Sequence, residues 1–336
     1  MKFLVFCLCF CLPFLVKASV SVSEKIQEAK DYLTVNPAKT LLLLDEVADL
    51  EKIPDKQFIH WHLIRMRASV PTNQLEVLHN SLESVFHHHE HPFFKANLTS
   101  FLSGVGIYLR KKQFLEDAKI SLECSYKYAQ NDRQKLTLTN SLALVARQQN
   151  DHSSARVLYR KARELAIERQ NHSIIAMIDN NLGMIEFDEG NFNQAELHYR
   201  RALKGYRAID KRSGVVTASI NLLFAFMLQD KLIDYQRLYS PTATLTLAFP
   251  NQSKQALLFW IHQRFLQLQG SKLSINTMNK LVKAYKQLED VKVKIHIHDY
   301  IAADMNIELT TATKKAHVGF NRPWFELVKR CDWVVD

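Results

Sequence analysis

Glycine and proline are scarce in this chain, with 8 of each among 336 residues. Tight turns between strands draw on both residue types, so their shortage disfavours a protein built of strands and turns. No linker rich in proline, glycine or serine divides the chain. Because 47% of the residues are hydrophobic, there is ample material for a buried core, and the composition favours helices.

The short motifs that mark common catalytic sites are also missing. The sequence has no G-x-S-x-G, no H-E-x-x-H and no glycine-rich phosphate loop, and its cysteines lack the surroundings of a nucleophile. Carboxylates are plentiful, but no pair stands out as a general acid and base. We therefore expect a protein that is not an enzyme and that needs no cofactor.

Cysteine is rare beyond the amino terminus. Cys7, Cys9 and Cys11 lie within an apolar run, and only Cys124 and Cys331 follow it. Two cysteines cannot make a disulfide framework, although one long-range bridge between them stays open. None of the first three stands at the end of the run behind a small residue, so we expect no lipid attachment there.

The apolar run itself is typical of a secretory signal peptide. Lys2 precedes it, it extends from Phe3 to Val16, and Val16-Lys17-Ala18 places small residues where a signal peptidase recognises them. We expect a signal peptide over residues 1–18, cleaved after Ala18. An uncleaved anchor is the alternative, but 14 residues reach only about 21 Å as a helix, short of the roughly 30 Å bilayer core.

Export predicts where the protein works and what it meets. No later segment is apolar enough to span a membrane, and the short signal and few cysteines suit a soluble protein of the bacterial periplasm. Glycosylation acceptor sequences would matter only in a eukaryotic host; they begin at Asn97, Asn171 and Asn251. Without the signal, 42 basic and 34 acidic residues remain. This balance suits anionic partners, whereas export argues against nucleic acid.

The central part of the chain repeats itself every 40 residues. Two stretches share leucine, alanine and tyrosine at matching positions, and the pairs are Leu142 with Leu182, Ala155 with Ala195, Tyr159 with Tyr199, and Ala162 with Ala202. A period of this size, holding two helical patterns, predicts stacked helix-turn-helix units. Ala and Gly would let the helix backbones approach closely, and the aromatic residue would fill the space between helices.

The second unit resembles the tetratricopeptide repeat family through Leu182-Gly183, Gly190, Ala195, Tyr199 and Ala202, and the first through Leu142-Ala143, Asn150, Ala155, Tyr159 and Ala162. The resemblance implies an all-α, right-handed superhelical solenoid of antiparallel helix pairs. It also implies a concave surface, lined by the first helix (A) of each pair, that binds a protein or peptide. The 40-residue period exceeds the usual 34, so we expect lengthened helices.

Weaker copies on either side divide the chain. We expect divergent helical repeats over residues 19–100, core repeats over 101–240 and a divergent helical cap over 241–336. In the cap, we expect helices from Gln255, Ile275 and Val291. A tail with Trp324, Phe325 and Trp333 is expected to fold back on the last helices.

Four asparagines are the first candidates for contact with a partner. Asn181 and Asn221 occupy one repeat position, and Asn140 and Asn180 occupy the position before it. The resemblance implies that asparagines on the A helices hold the backbone of an extended peptide, since an amide offers both a donor and an acceptor. The alternative is that these amides bond within the protein.

Other projected groove positions form a polarised surface. Its amino-terminal end is basic and its carboxyl-terminal end apolar, the residues being Arg110, Lys111 and Arg147 at the first and Met184, Phe187, Phe224 and Met227 at the second. Such a groove would accept a peptide with an acidic group and bulky apolar side chains. The alternative is that some of the apolar residues belong to the core.

One cluster suggests metal binding. His87, His88, His89 and His91 lie almost consecutively, and imidazole is a common ligand of zinc, copper and nickel. Adjacent side chains point in different directions, however, and no second spaced pair completes a tetrahedron. A solvated helix end is the favoured interpretation, so we assign no metal and keep a metal-handling protein as the alternative function.

The second helix (B) of the central pairs is strongly basic, with Arg160, Arg163, Arg200, Lys204, Arg207, Lys211 and Arg212. Contact with an anionic envelope surface is one interpretation and a solvated convex face is the other. Glu186 departs from the family pattern at a position that normally packs between helices. We expect it to pair with Arg147 or to turn outward, since an unpaired buried carboxylate is costly.

Taken with the signal peptide, these features predict an exported binding or scaffold protein. It would recognise a protein or peptide through its concave A-helix surface, in envelope signalling or in complex assembly.

Overall fold

Residues 21–47, 49–248, 251–310 and 319–334 are described in the computed structural model of the chain. The predicted signal peptide and its three cysteines lie outside these residues. None of the helices described has the length and the apolar stretch needed to cross a bilayer.

The described residues form 17 α-helices and no strand. In chain order they are α1 (Val22–Tyr32), α2 (Pro37–Asp45), α3 (Asp55–Ser69), α4 (Leu75–Phe86), α5 (Pro92–Ala96), α6 (Leu98–Lys111), α7 (Leu115–Lys127), α8 (Asp132–Gln148), α9 (His152–Glu168), α10 (His172–Asp188), α11 (Phe192–Ala208), α12 (Arg212–Leu228), α13 (Leu232–Leu247), α14 (Gln252–Leu268), α15 (Ile275–Gln287), α16 (Val291–Ile297) and α17 (Phe325–Arg330). A 3₁₀ turn covers Leu50–Lys52, and a π-helical turn over His298–Ala302 continues α16.

The 40-residue period governs the central helices. The A helices α8, α10, α12 and α14 begin 40 residues apart and are 17 residues long. After each of them one residue adopts a positive φ, namely Asn150, Gly190, Asp230 or Gly270. That left-handed residue ends the A helix and lets the chain reverse into the B helix. The predicted small residue at the helix turn is thus explained by backbone geometry.

Close helix contact explains the small residues within the helices. A Cβ placed on Gly183 of α10 would lie 2.6 Å from the Tyr199 ring and 3.2 Å from the Ala195 carbonyl oxygen, both on α11. Tyr199 and Ala195 are themselves buried. Antiparallel pairs of this kind stack along the chain, and the predicted all-α helical-repeat solenoid is confirmed.

The predicted boundary at residue 240 falls inside a helix. Helix α13 continues through Pro241 to Leu247. Helix α14 begins 40 residues after α12 and forms one more helix pair with α15. The repeat therefore extends past the point where its sequence signature fades. Pro241 removes one amide donor, but the helix continues beyond it to Leu247.

The sequence analysis expected the tail, residues 319–334, to fold back on the last helices, and this was wrong. The tail packs against the amino-terminal half of the chain. Trp324 stacks on Phe86 of α4 with ring centroids 4.4 Å apart, and the Phe320 amide donates to the buried Asp117 carboxylate at 2.6 Å. Cys331 forms a disulfide with Cys124 of α7. The tail's aromatic residues complete the apolar cluster of α4–α7, which the sequence alone could not locate.

Candidate functional site

Four equivalent positions near the carboxyl ends of successive A helices form a row, which we call the A-helix row: Arg110, Arg147, Phe187 and Met227. They belong to α6, α8, α10 and α12 respectively. The row changes from guanidinium groups to apolar side chains along the stack. All four residues are among the positions projected from the sequence as a polarised groove surface, but Arg147, Phe187 and Met227 are buried.

Arg147 is the most heavily engaged residue of the row, with 2% of its surface exposed. Its Nε and Nη2 donate to both carboxylate oxygens of Asp188 at 2.6 and 2.9 Å, and Nη1 donates to Asp290 at 3.0 Å. Burial alone would raise the pKa of Asp188, but the hydrogen bond to His296 and the charge of Arg147 lower it to about 2. Both partners therefore stay charged inside the protein.

The expectation that Arg147 pairs with Glu186 was wrong. One carboxylate oxygen of Glu186 lies 2.6 Å from Nη1 of Arg156 on α9, and the other accepts from the side-chain amide of Asn191 at 3.1 Å. Asp188, two residues later, takes the place at Arg147. Two residues turn the side chain by about 200° around a helix, so Glu186 faces the B helix of the preceding pair while Asp188 faces the row.

The four candidate asparagines bond to one another across the A helices. Asn181 donates to Asn140 at 2.7 Å, Asn221 donates to Asn180 at 3.0 Å, and Asn180 donates to Asn181 at 3.3 Å. We call this chain of amides the asparagine ladder. Asn140, Asn180 and Asn181 are buried. The ladder joins α8, α10 and α12, which is the bonding within the protein that the sequence left open.

The apolar candidates lie in the largest core cluster. Phe187 and Phe224 have ring centroids 4.8 Å apart, Met227 is 3% exposed, and the Met184 sulfur lies 3.6 Å from the Asn180 amide. The ring centroids of Phe187 and His296 are 5.0 Å apart. The apolar end of the row is therefore continuous with the core and is partly covered by a later part of the same chain.

That covering part, residues 289–300, we call the crossing segment. Lys111 contacts Glu289 at 2.6 Å, Arg147 binds Asp290, and His296 Nε2 lies 2.8 Å from Asp188. The segment thus runs from the basic end of the A-helix row towards its apolar end. Sequence reasoning predicted a helix here but not its position; the acidic pair before an alternating V-K-V-K-I-H-I-H run was the available signal.

A cavity of about 610 Å³ lies beside the start of the crossing segment. One side comes from the loop before α4 and the end of α6, including Asn73 and Lys111, and the other from α14, α15 and α16, including Ser253, Lys286 and Lys294. Burial lowers the pKa of Lys294. The cavity has a positive rim next to the basic end of the row.

The histidine cluster forms a turn between α4 and α5. His91 caps α5 by accepting from the Phe93 amide, the His89 ring lies 3.0 Å from the Phe86 carbonyl oxygen, and His88 lies 3.8 Å from Asp55. Among the residues that the structure describes, no three histidine, cysteine or acidic side chains are grouped so as to hold a metal ion.

The basic B helices are partly neutralised. Arg163 pairs with Asp179, and Arg200 binds Glu196 at 2.8 Å while lying 5.0 Å from the Phe226 ring. Beside them an open groove of about 500 Å³ separates α11 from α13. Its basic residues are Arg200, Lys204, Arg207 and Arg237.

Comparison with known proteins agrees with this architecture. Residues 180–209 match the tetratricopeptide repeat. The matched stretch belongs to the second central unit, whose sequence resembles this family. No curated protein sequence matches it.

Two solved structures share the fold. One is a Rap protein complexed with competence and sporulation factor, 14% identical, with a TM-score of 0.57 over 85% of this chain and 84% of that chain. The other is aspartyl phosphate phosphatase F from Bacillus subtilis, 12% identical, with a TM-score of 0.57 over 95% of this chain and 96% of that chain. At such identities the likeness concerns the fold.

Proposed function

We propose that this is an exported binding protein whose A helices hold an extended segment of a protein or peptide partner. The observation that carries the proposal is the A-helix row, where two guanidinium groups give way to phenylalanine and methionine. A segment with an acidic group at one end and bulky apolar side chains at the other satisfies both halves. Control of an envelope sensor and assembly of a surface complex would both use such a module.

The comparisons support binding as the activity. Solenoids of tetratricopeptide repeats are typically interaction scaffolds, and one structural neighbour was crystallised with a competence and sporulation factor. The other neighbour is named a phosphatase. We assign no reaction to this chain, since the A-helix row presents no nucleophile.

We assign different roles to the ladder and the row. The asparagine ladder has its amides satisfied within the protein and sets the spacing of α8, α10 and α12. The row then meets the partner. Lys111 sits next to Arg110 at the basic end, with 14% of its side chain exposed, and pairs with Glu289.

Export is supported by the bond between Cys124 and Cys331, because structural disulfides persist in oxidising compartments. Mass spectrometry of the protein recovered from its own host tests this. A mature chain that begins at Ser19 and contains the bond is the expected result. A cytoplasmic chain that keeps Met1 would contradict it.

Binding is tested with the mature chain and fluorescent peptides of about fifteen residues, each with two acidic residues followed by isoleucine or phenylalanine. Every chain compared carries Glu289→Gln, so that the substitution does not also repel that carboxylate. In this background Lys111→Glu should weaken binding at least tenfold by repelling the acidic end. Lys119→Glu, an equal charge change on the exposed side of α7, is the control and should leave binding unchanged. Equal effects of the two variants would contradict binding at the A-helix row.

A further inference from the structure

The crossing segment has the chemistry that the proposed partner requires. Its acidic pair, Glu289 and Asp290, lies on Lys111 and Arg147, while His296 packs against Phe187 and Tyr300 lies 5.8 Å from Phe192. The order along the segment is acidic first and bulky last. It therefore occupies the A-helix row in the same direction that a partner segment would.

The contacts of the segment fall into two kinds. Its buried Ile297 and the adjoining Ile301 belong to an apolar cluster that includes Trp260 of α14 as well as Phe187 and Met227 of the row. Its charged and polar contacts with the A helices are Lys111 with Glu289, Arg147 with Asp290, and Asp188 with His296. An acidic ligand can replace the carboxylates at Lys111 and Arg147. It cannot replace the contact of His296 with Asp188 or the apolar packing.

The charge of Arg147, which would receive the ligand, stays paired with a carboxylate during the exchange. Arg147 is bound on two nitrogens by Asp188, so its exchange of Asp290 for another carboxylate would leave no charge alone in the interior. The segment begins where the Glu289 amide donates to Ser253 at 3.0 Å, on the first turn of α14. The segment can therefore leave the row while its start stays attached to α14.

From these contacts we propose that the crossing segment is a built-in competitor for the partner site. It covers the A-helix row in the resting protein, and an acidic-then-apolar segment of another protein binds by displacing Glu289 and Asp290. This proposal rests on the proposed function and adds its regulation. Because the segment is part of the chain, its local concentration is high, so only a partner that binds well opens the row.

The test removes the charges that hold the segment and keeps its helix. In the released variant, Glu289→Gln/Asp290→Asn, the asparagine can still cap α16, because it can accept from the Lys292 amide as Asp290 does. The matched control is Glu164→Gln/Glu168→Gln, which removes two exposed charges from α9. Circular dichroism shows whether each variant is folded, and Asp290→Asn alone serves if the double variant is not.

The probe is a fluorescein-labelled synthetic peptide of residues 287–302 of this chain, measured by fluorescence anisotropy. The released variant should bind it at least tenfold more tightly than the wild type and the control do. A peptide with Gln and Asn at the two acidic positions should lose that binding. Hydrogen exchange of residues 291–302 should be faster in the released variant.

The outcomes separate the two proposals. Equal binding of the peptide by the wild type and the released variant, or unchanged exchange of residues 291–302, would overturn the competitor and leave the binding function standing. Absence of binding to either chain, for this peptide and for the acidic-apolar peptides above, would remove the A-helix row as a partner site and both proposals with it.

Discussion

Arg147 and Asp188 form a two-hydrogen-bond ion pair between successive A helices, with each side chain no more than 2% exposed. The pair stands where the row changes from basic to apolar. It joins α8 to α10 and also receives the crossing segment through Asp290 and His296. One ion pair therefore connects the stacking of the repeats to the occupancy of the proposed site.

Asp188→Asn should lower the free energy of unfolding by about 3 kcal/mol, because it leaves the buried Arg147 with Asp290 as its remaining carboxylate. Urea denaturation followed by circular dichroism measures the change. Asp304→Asn is the matched control, since Asp304 is half exposed and pairs with Arg264 near the surface. That variant should lose less than about 1 kcal/mol. Equal losses for the two variants would show that the buried pair contributes no more to stability than the surface pair does.

Removal of the disulfide should destabilise the protein by about 2–4 kcal/mol, since the bond joins residues 207 apart and restricts the unfolded chain. Thermal unfolding of the wild type, with and without dithiothreitol, is compared with that of Cys124→Ser/Cys331→Ser. Reductant should lower the melting temperature of the wild type alone. A shift of equal size in the variant would mean that reductant acts elsewhere.

His62 should make stability depend on pH. Burial, with Arg65 and His88 nearby, lowers its pKa from 6.5 to about 3 in the folded protein. Between these values the unfolded chain binds a proton that the folded chain does not, so stability falls as the pH falls from 6.5 towards 3. Between pH 7 and pH 5.5 the loss should be about 1 kcal/mol.

His62→Leu should remove that part of the pH dependence, which denaturation at the two pH values measures. His172→Leu, at an exposed position on α10, is the control and should keep it. The same slope in all three proteins would mean that other groups cause the acid sensitivity.

Gly183→Ala should destabilise the protein by roughly 1–3 kcal/mol, although alanine favours a helix by about 1 kcal/mol over glycine. The added methyl group would meet the Tyr199 ring at 2.6 Å. Tyr199→Leu opens that space at its own cost, so the double variant should lose less than the two single variants combined. Additive losses in urea denaturation would place the strain elsewhere.

The sequence predicted the solenoid because its signal is local. Tyr199 matches Tyr159, and Gly183 matches the small residue Ala143, each 40 residues earlier. These residue types report the contact of one helix with the next. The row could be projected for the same reason. The partner of Arg147 could not, because choosing between Glu186 and Asp188 needs the rotation of α10 to within one residue.

The parts that the sequence missed are long-range contacts with no period. Asp290 meets Arg147 across 143 positions, and Phe320 meets Asp117 across 203. Their residue types indicated charge and aromatic burial. Which earlier helix they would meet was decided by how the whole stack turns, and a single repeat unit carries no information about that.

The bond between Cys124 and Cys331 also determines how the protein would respond to force. A tension applied at the two termini passes along residues before 124, through the sulfur atoms, and out through the few residues after 331. The length of chain between the two cysteines, with every A helix from α8 to α14, lies off that load path. While the disulfide is intact, tension would unfold only the helices before Cys124, and the chain between the two cysteines would stay folded. After reduction, the tension would act on the entire chain.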